Sequence, residues 1–108
     1  MTFRARLPLF CALVVPATGL LAAPVFEKDV RPILKAHCFH CHGEDGEKKA
    51  DLDVRLARFL LKGGDSGPAV VAGKPAESHL LEMLKSGEMP KEKAKLPEKD
   101  IATIEQWI

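Results

Sequence analysis

The chain has 108 residues, with 16 basic and 15 acidic side chains, so its formal net charge is only +1. A chain this close to neutral has no basic excess with which to neutralise a phosphate backbone, and we expect no nucleic-acid partner. Its length suits a single small domain, but it holds no tyrosine, one tryptophan and five phenylalanines. A core this poor in aromatic side chains needs apolar surface from another source.

The first 22 residues have the layout of a secretory signal. Two arginines precede an uncharged, mainly apolar stretch from Leu7 to Ala22, which is the order of regions in exported proteins. We predict a signal peptide over residues 1–22 and a mature domain over residues 23–108, exported to the periplasm. The stretch is too short for a comfortable membrane span of roughly 20 residues, so membrane contact is expected only if the segment is retained. Its removal takes away two arginines and no acidic residue, which changes the formal charge from +1 to −1.

Apolar side chains recur at helical spacing in residues 26–37, FEKDVRPILKAH, and predict a first helix that runs toward two cysteines. Pro32 leaves two possible starts. If Asp29 is the N-cap, Pro32 falls in the first turn, where its missing N–H has no helical partner to lose. The alternative is a longer, kinked helix that begins near Phe26.

The middle of the chain predicts loops and one short helix. Residues 43–51 are polar and punctuated by glycine, which favours a surface loop. Over residues 52–62, an alternating pattern gives way to helical spacing, so we predict a short extended piece and then a short helix that ends at Gly63. Residues 63–75 are rich in glycine and proline and are expected to form an irregular connector.

Two further helices are predicted in the last third of the chain. Residues 76–87 form a helical pattern that ends at Gly87, with three inward-facing leucines, Leu80, Leu81 and Leu84. Residues 88–97 are expected to be an irregular loop. The last helix begins with Pro97 near its first position and presents one apolar face, formed by Ile101, Ile104 and Ile108.

Residues 38–42, CFHCH, carry the clearest chemical signal. Thiols three residues apart lie on one helical face, so Cys38 and Cys41 can add to the two vinyl groups of a haem while His42 turns its imidazole toward the iron. The compartment agrees, because c-type haem is attached after export. We therefore predict one covalently bound haem c per chain, which also supplies the missing apolar surface.

Other uses of these residues are weaker. A structural zinc would need a second pair of ligands, and His79 alone does not provide it. A thioredoxin-like CxxC would need a βαβ context, and a plain disulfide would leave His42 without a role. His37 and His40 are expected to be a haem-packing and a solvent-facing side chain. His79 is expected to be exposed, with bis-histidine ligation through it as a minor alternative.

Three blocks resemble the planctomycete-type cytochrome c domain, a branch of the class I cytochromes, and the resemblance extends over residues 26–108. They are FEKDVRPILKAHCFHCHG, LLKGGDSGPAVVAGKPAESHLL, and EMP followed by LPEKDIATIEQWI. The resemblance implies a small all-α fold in which the first and last helices cross around one haem. It implies His42 as the proximal iron ligand and Met89 as the distal one. Lys91 departs from the family pattern, which often has a second proline there.

Residue context also favours Met89 among the possible distal ligands. Met83 shares a helix with three leucines, and a methionine at such spacing is expected to fill the core. Pro90 restricts Met89 to an extended backbone, which suits a loop that crosses the open face of a haem.

The second ring nitrogen of His42 is expected to donate to a backbone carbonyl that fixes the imidazole. Class I cytochromes use the carbonyl of a proline in a Gly-Pro turn. By this resemblance Pro68, which follows Gly67, is predicted to be the acceptor.

These predictions describe an electron carrier and not an enzyme. It would exchange single electrons with a redox partner protein and be a monomer as an isolated domain. Lys91, Lys93 and Lys95 either steer an acidic partner or form a solvated loop, because glutamates alternate with them. Similar domains often stand at the front of large exported proteins, so the alternative is a haem module of a larger exported multidomain enzyme, with an electron-feeding, sensor or docking role.

Overall fold

The computed structural model describes residue 2, residues 11–15 and residues 22–108. This part of the chain contains no β-strand and four α-helices, α1 (Arg31–His37), α2 (Ala57–Lys62), α3 (His79–Ser86) and α4 (Glu98–Trp107). Single 3-10 turns lie between them, at Glu44–Gly46, Lys49–Asp51 and Pro75–Glu77. The fold is all-α, as predicted. Most of the predicted signal peptide lies outside the described residues, and within them no helix is long and apolar enough to cross a membrane.

The first helix begins before α1, because a wide π-helical turn, Phe26–Val30, leads into it. The amide that follows this turn bonds to the carbonyl of Phe26, five residues back. Pro32 lies in the first turn of α1, and the wide turn makes room for a ring that would crowd a regular helix. The Asp29 carboxylate accepts a hydrogen bond from the Val25 amide at 2.7 Å. Of the two predicted starts, the one near Phe26 is therefore correct.

One hydrophobic core joins the four helices. The predicted contact between the first and last helices is present, and the ring centroids of Phe26 and Trp107 lie 5.0 Å apart. Ile33 and Ile108 are partly buried at the border of this contact. Burial of each large side chain stabilises the fold by about 1.5–3 kcal/mol. All four helices, and the turn that leads into α1, contribute buried apolar side chains to the core: Val30, Leu34, Leu60, Leu81, Leu84, Ile101 and Ile104.

Glycines end α2 and α3, as predicted. Gly63 and Gly87 both have positive φ, 74° and 80°, where a residue without Cβ is favoured. A Cβ on Gly63 would also overlap the carbonyl oxygen of Gly67. The connector before α3 is held by the buried Ser78 hydroxyl, which donates to the Lys74 carbonyl at 3.0 Å. This hydrogen bond fixes the position of Ser78, which directly precedes α3, and therefore fixes where α3 begins.

Candidate functional site

An apolar cavity of about 380 Å³ opens beside the CFHCH segment. This volume lies within the range of about 300–1,000 Å³ that is common for ligand pockets. The wall combines side chains from segments that are distant in the sequence: the turn at 64–67, α3 with the loop that follows it, and the residues His37, Cys38, Cys41, His42, Leu52 and Val54. The packing of α3 against the rest of the core therefore completes the site.

Cys38 and Cys41 line this cavity as free thiols. The His42 amide donates to the Cys38 carbonyl at 3.1 Å, and this helical turn keeps both thiols on one side. Burial raises the pKa of the Cys38 thiol to about 11, an effect that the Lys93 ammonium opposes and the neighbouring Cys41 reinforces. The Cys38 thiol is therefore protonated at neutral pH.

His42 lines the same cavity, and a backbone carbonyl holds its ring through Nδ1. Its Nδ1 lies 3.3 Å from the Leu52 carbonyl oxygen. A carbonyl oxygen only accepts, so Nδ1 carries the hydrogen and Nε2 keeps the lone pair that a metal requires. The main chain is also held, because the Val54 amide donates to the His42 carbonyl at 2.9 Å. This is the typical arrangement of a metal-ligating histidine.

The carbonyl partner of His42 is Leu52, so the prediction that Pro68 accepts this hydrogen bond is wrong. Pro68 is exposed and does not line the cavity. The preceding turn, residues 64–67, does line it, but its first and last glycines bond to each other at 3.2 and 3.0 Å. The extended residues 52–54 occupy the place beside His42 instead. Their alternating pattern indicates an extended segment with backbone carbonyls that no helix uses, but it does not indicate which of these carbonyls faces His42.

Met83 and Met89 both line the cavity and are both half-buried. Met83 lies in α3, where it was predicted to fill the core, and it faces the cavity instead. The Met89 amide donates to the Met83 carbonyl at 3.2 Å, so the loop after α3 turns back over the end of that helix. Met89 also packs against the core, and the adjoining Pro90 is buried.

The remaining histidines separate into two groups. His37 and His79 line the cavity, whereas His40 is exposed and lies outside it. At the start of α3, the Nδ1 of His79 lies 3.4 Å from a carboxylate oxygen of Glu82. His79 is half-exposed rather than fully exposed. Three exposed lysines lie at the cavity border, Lys49, Lys91 and Lys93.

The chemistry of these side chains fits a haem better than the alternatives. Within residues 22–108 and the other described positions, no three His, Cys, Asp or Glu side chains come together as a metal-binding group, whereas a structural zinc needs four ligands. Cys38 and Cys41 form no disulfide. Two free thiols and a histidine whose Nε2 keeps its lone pair, beside an apolar cavity, suit a flat apolar ring with a central iron.

These features define a c-type cytochrome domain, and a comparison with protein families agrees. The family model described as Planctomycete cytochrome C matches residues 38–93, just over half of the chain. The match begins at the first cysteine of CFHCH and ends in the loop beyond Met89. Searches of curated proteins and of solved structures found no match. The chain belongs to the planctomycete cytochrome c family, which indicates a haem-based role in electron transfer.

Proposed function

We propose that the chain is a monohaem electron carrier, with thioether bonds from Cys38 and Cys41 and with His42 and Met89 as axial ligands. The observation that carries this proposal is that both thiols, the His42 ring and Met89 border one apolar cavity. A haem bound there supplies an iron that alternates between the ferric and ferrous states. Because the residues around it only tune and protect that exchange, the chain acts as a carrier and not as an enzyme.

The side chains of the cavity have distinct tasks in this proposal. The Leu52 carbonyl accepts the Nδ1–H of His42, which orients the imidazole and raises its basicity. Met89 offers a neutral thioether, which favours the reduced state more than a second histidine does. Leu80 and Leu84 are buried at the cavity wall and exclude water. Exclusion of water disfavours the more highly charged ferric state, so it acts in the same direction as Met89.

The proposal includes a periplasmic location, one haem per chain and a redox partner protein. The basic and then apolar N-terminal segment supports export, and the single CxxCH motif supports one haem. The exposed lysines at the cavity border, Lys49, Lys91 and Lys93, support a partner with an acidic surface, because complementary charge speeds encounter. Lys95 is less available for this task, because its ammonium lies 3.3 Å from the Glu98 carboxylate.

Covalent attachment is the direct test. After expression in a periplasm with a c-type maturation system, the wild-type haem should survive acid-acetone extraction and denaturing electrophoresis. Cys38→Ala or Cys41→Ala should lose most of the holoprotein. Cys11→Ala is the matched control, because Cys11 is an exposed thiol in the predicted signal segment and should leave the haem content unchanged. Haem that extracts freely from the wild type would contradict the proposal.

A further inference from the structure

Asp53 is a buried carboxylate, and among the described charged side chains it alone is buried, with 8% of its surface exposed. Its partner is two residues away. Arg55 donates to the carboxylate from Nη2 at 2.8 Å and from Nε at 3.1 Å, and its backbone amide adds a bond at 3.0 Å. The Arg55 guanidinium lowers the pKa of the Asp53 carboxyl, so the pair is ionised at neutral pH. Side-chain and main-chain bonds to one partner lock residues 53–55 into a closed turn.

The residues on both sides of Asp53 contact His42. The Leu52 carbonyl accepts from Nδ1 at 3.3 Å, and the Val54 amide donates to the His42 carbonyl at 2.9 Å. A rotation of the backbone at Asp53 would move both of these peptide groups. The bond to Nδ1 is already at the long limit for N–H···O geometry, so a small displacement of the Leu52 carbonyl would break it.

The pair also packs against the segment that holds the cysteines. Gly43 directly follows CFHCH, and a Cβ there would lie 2.7 Å from both Asp53 Oδ1 and Arg55 Nε. The Arg55 carbonyl accepts a hydrogen bond from the Arg31 side chain at 3.1 Å. The Arg31 guanidinium in turn lies 5.4 Å from the ring centroid of the buried Phe39, inside CFHCH. The closed turn is therefore anchored both to α1 and to the ligand segment.

We propose that the Asp53–Arg55 pair positions the proximal ligand, because it holds the Leu52 carbonyl against the Nδ1–H of His42. This inference rests on the proposed function for its redox consequence, whereas the hydrogen bond itself belongs to the chain. A stronger Nδ1–H bond makes the imidazole a better donor, which stabilises ferric iron and lowers the reduction potential. Loss of the pair weakens this bond, so it raises the potential and exposes the Nδ1 proton to exchange with water.

The test compares holoprotein variants by NMR and voltammetry. Asp53→Ala should speed hydrogen exchange at His42 Nδ1 by about tenfold and raise the reduction potential. Asp53→Asn keeps an oxygen that can accept from the Arg55 amide, so it should change both quantities less. Glu105→Gln is the control, because Glu105 pairs with Lys85 across exposed side chains of α4 and α3; both readouts should stay at wild-type values. If Asp53→Ala lowers only the melting temperature, with exchange and potential unchanged, the pair is merely structural and the proposal is wrong.

A second variant covers the case in which Asp53→Ala does not fold. Arg55→Gln keeps the carboxylate and removes the guanidinium, and it should shift both readouts in the same direction. Failure of the proposed function would be seen separately, as a wild type without covalent haem. In that protein the ¹⁵N shifts of His42 still report the tautomer. A smaller Nδ1–H population in Arg55→Gln than in the wild type would support positioning, and equal populations would overturn it.

Discussion

The two walls of the cavity are built in different ways. On the His42 wall, the ring and the main chain of His42 are held by hydrogen bonds to Leu52 and Val54, and Gly43 after it lies close against the Asp53–Arg55 pair. On the Met89 wall, the loop is anchored at its two ends, because Pro90 and Leu96 are buried and residues 91–95 between them are exposed. The proposed proximal ligand, His42, is therefore pre-organised by the chain, whereas the proposed distal ligand, Met89, lies on a loop that can open with less loss of contact.

The largest expected effect comes from a break in the His42 wall at Gly43. Its φ is 144°, and a Cβ there would meet Asp53 and Arg55 at 2.7 Å. We expect Gly43→Ala to lower the free energy of unfolding by about 3 kcal/mol or more, since backbone strain and overpacking add, and to reduce the yield of holoprotein. Urea unfolding and haem content measure the two effects.

Gly46→Ala is the matched control for this substitution. Gly46 also has positive φ, 74°, but a Cβ there has no neighbour within 4 Å. Its cost should be the backbone strain alone, about 1 kcal/mol. Equal effects of the two substitutions would show that the contact with Asp53 and Arg55 is not what makes the His42 wall rigid.

The Met89 wall should be sensitive at its buried anchor. Leu96 is 3% exposed, so Leu96→Ala should lower the free energy of unfolding by about 2–4 kcal/mol. It should also reduce the far-red absorption band of sulfur bound to ferric haem. Leu61, which is 46% exposed, is the control, and Leu61→Ala should change stability by less than about 0.5 kcal/mol. A Leu96→Ala protein with an undiminished band would mean that the loop holds Met89 without this anchor.

The proposed distal ligand, Met89, can be tested with little change in stability. Met89→Leu conserves volume and should cost less than about 1.5 kcal/mol, but it should abolish the far-red band and open the iron to cyanide or carbon monoxide. Met83→Leu is the matched control in the same cavity and should leave the band intact. The reverse pattern would make Met83 the ligand and Met89 part of the wall.

The ends of α2 and α3 could be predicted from the sequence because their signals are local, and the CFHCH ligands could be proposed for the same reason. CFHCH has the CxxCH pattern of covalent haem attachment. Gly63 and Gly87 end helices because their backbone has positive φ, which favours glycine. Pro97 precedes the first residue of α4 for a similar local reason. The sequence leaves two possible starts for the first helix, since the wide turn before Pro32 depends on how the helix accommodates the proline ring.

The carbonyl that supports His42 could not be predicted in the same way. A backbone carbonyl carries no side-chain signal, so the assignment to Pro68 followed a turn pattern, and the turn at 64–67 closes on itself instead. The role of Asp53 was missed for a related reason. An aspartate in an alternating segment is normally solvent-facing, and only the return of residues 52–55 to the ligand segment buries it.

The smallest effect is the pH dependence of the His42 wall. Arg55 lowers the pKa of the Asp53 carboxyl in the folded protein, so the ionised pair stabilises the fold above the unfolded-state pKa of about 3.9. This stabilisation is lost as the pH falls through the lower folded-state pKa. At pH 7, Asp53→Asn should lower the Tm by a few degrees, because the substitution removes a partly screened ion pair. The difference in Tm between wild type and variant should persist to about pH 5 and shrink below about pH 4, whereas Glu105→Gln should show only a small difference throughout. The Tm difference for Asp53→Asn could instead be as large at pH 3 as at pH 7. That result would mean that the Asp53 side chain stabilises this wall through its packing and not through its charge.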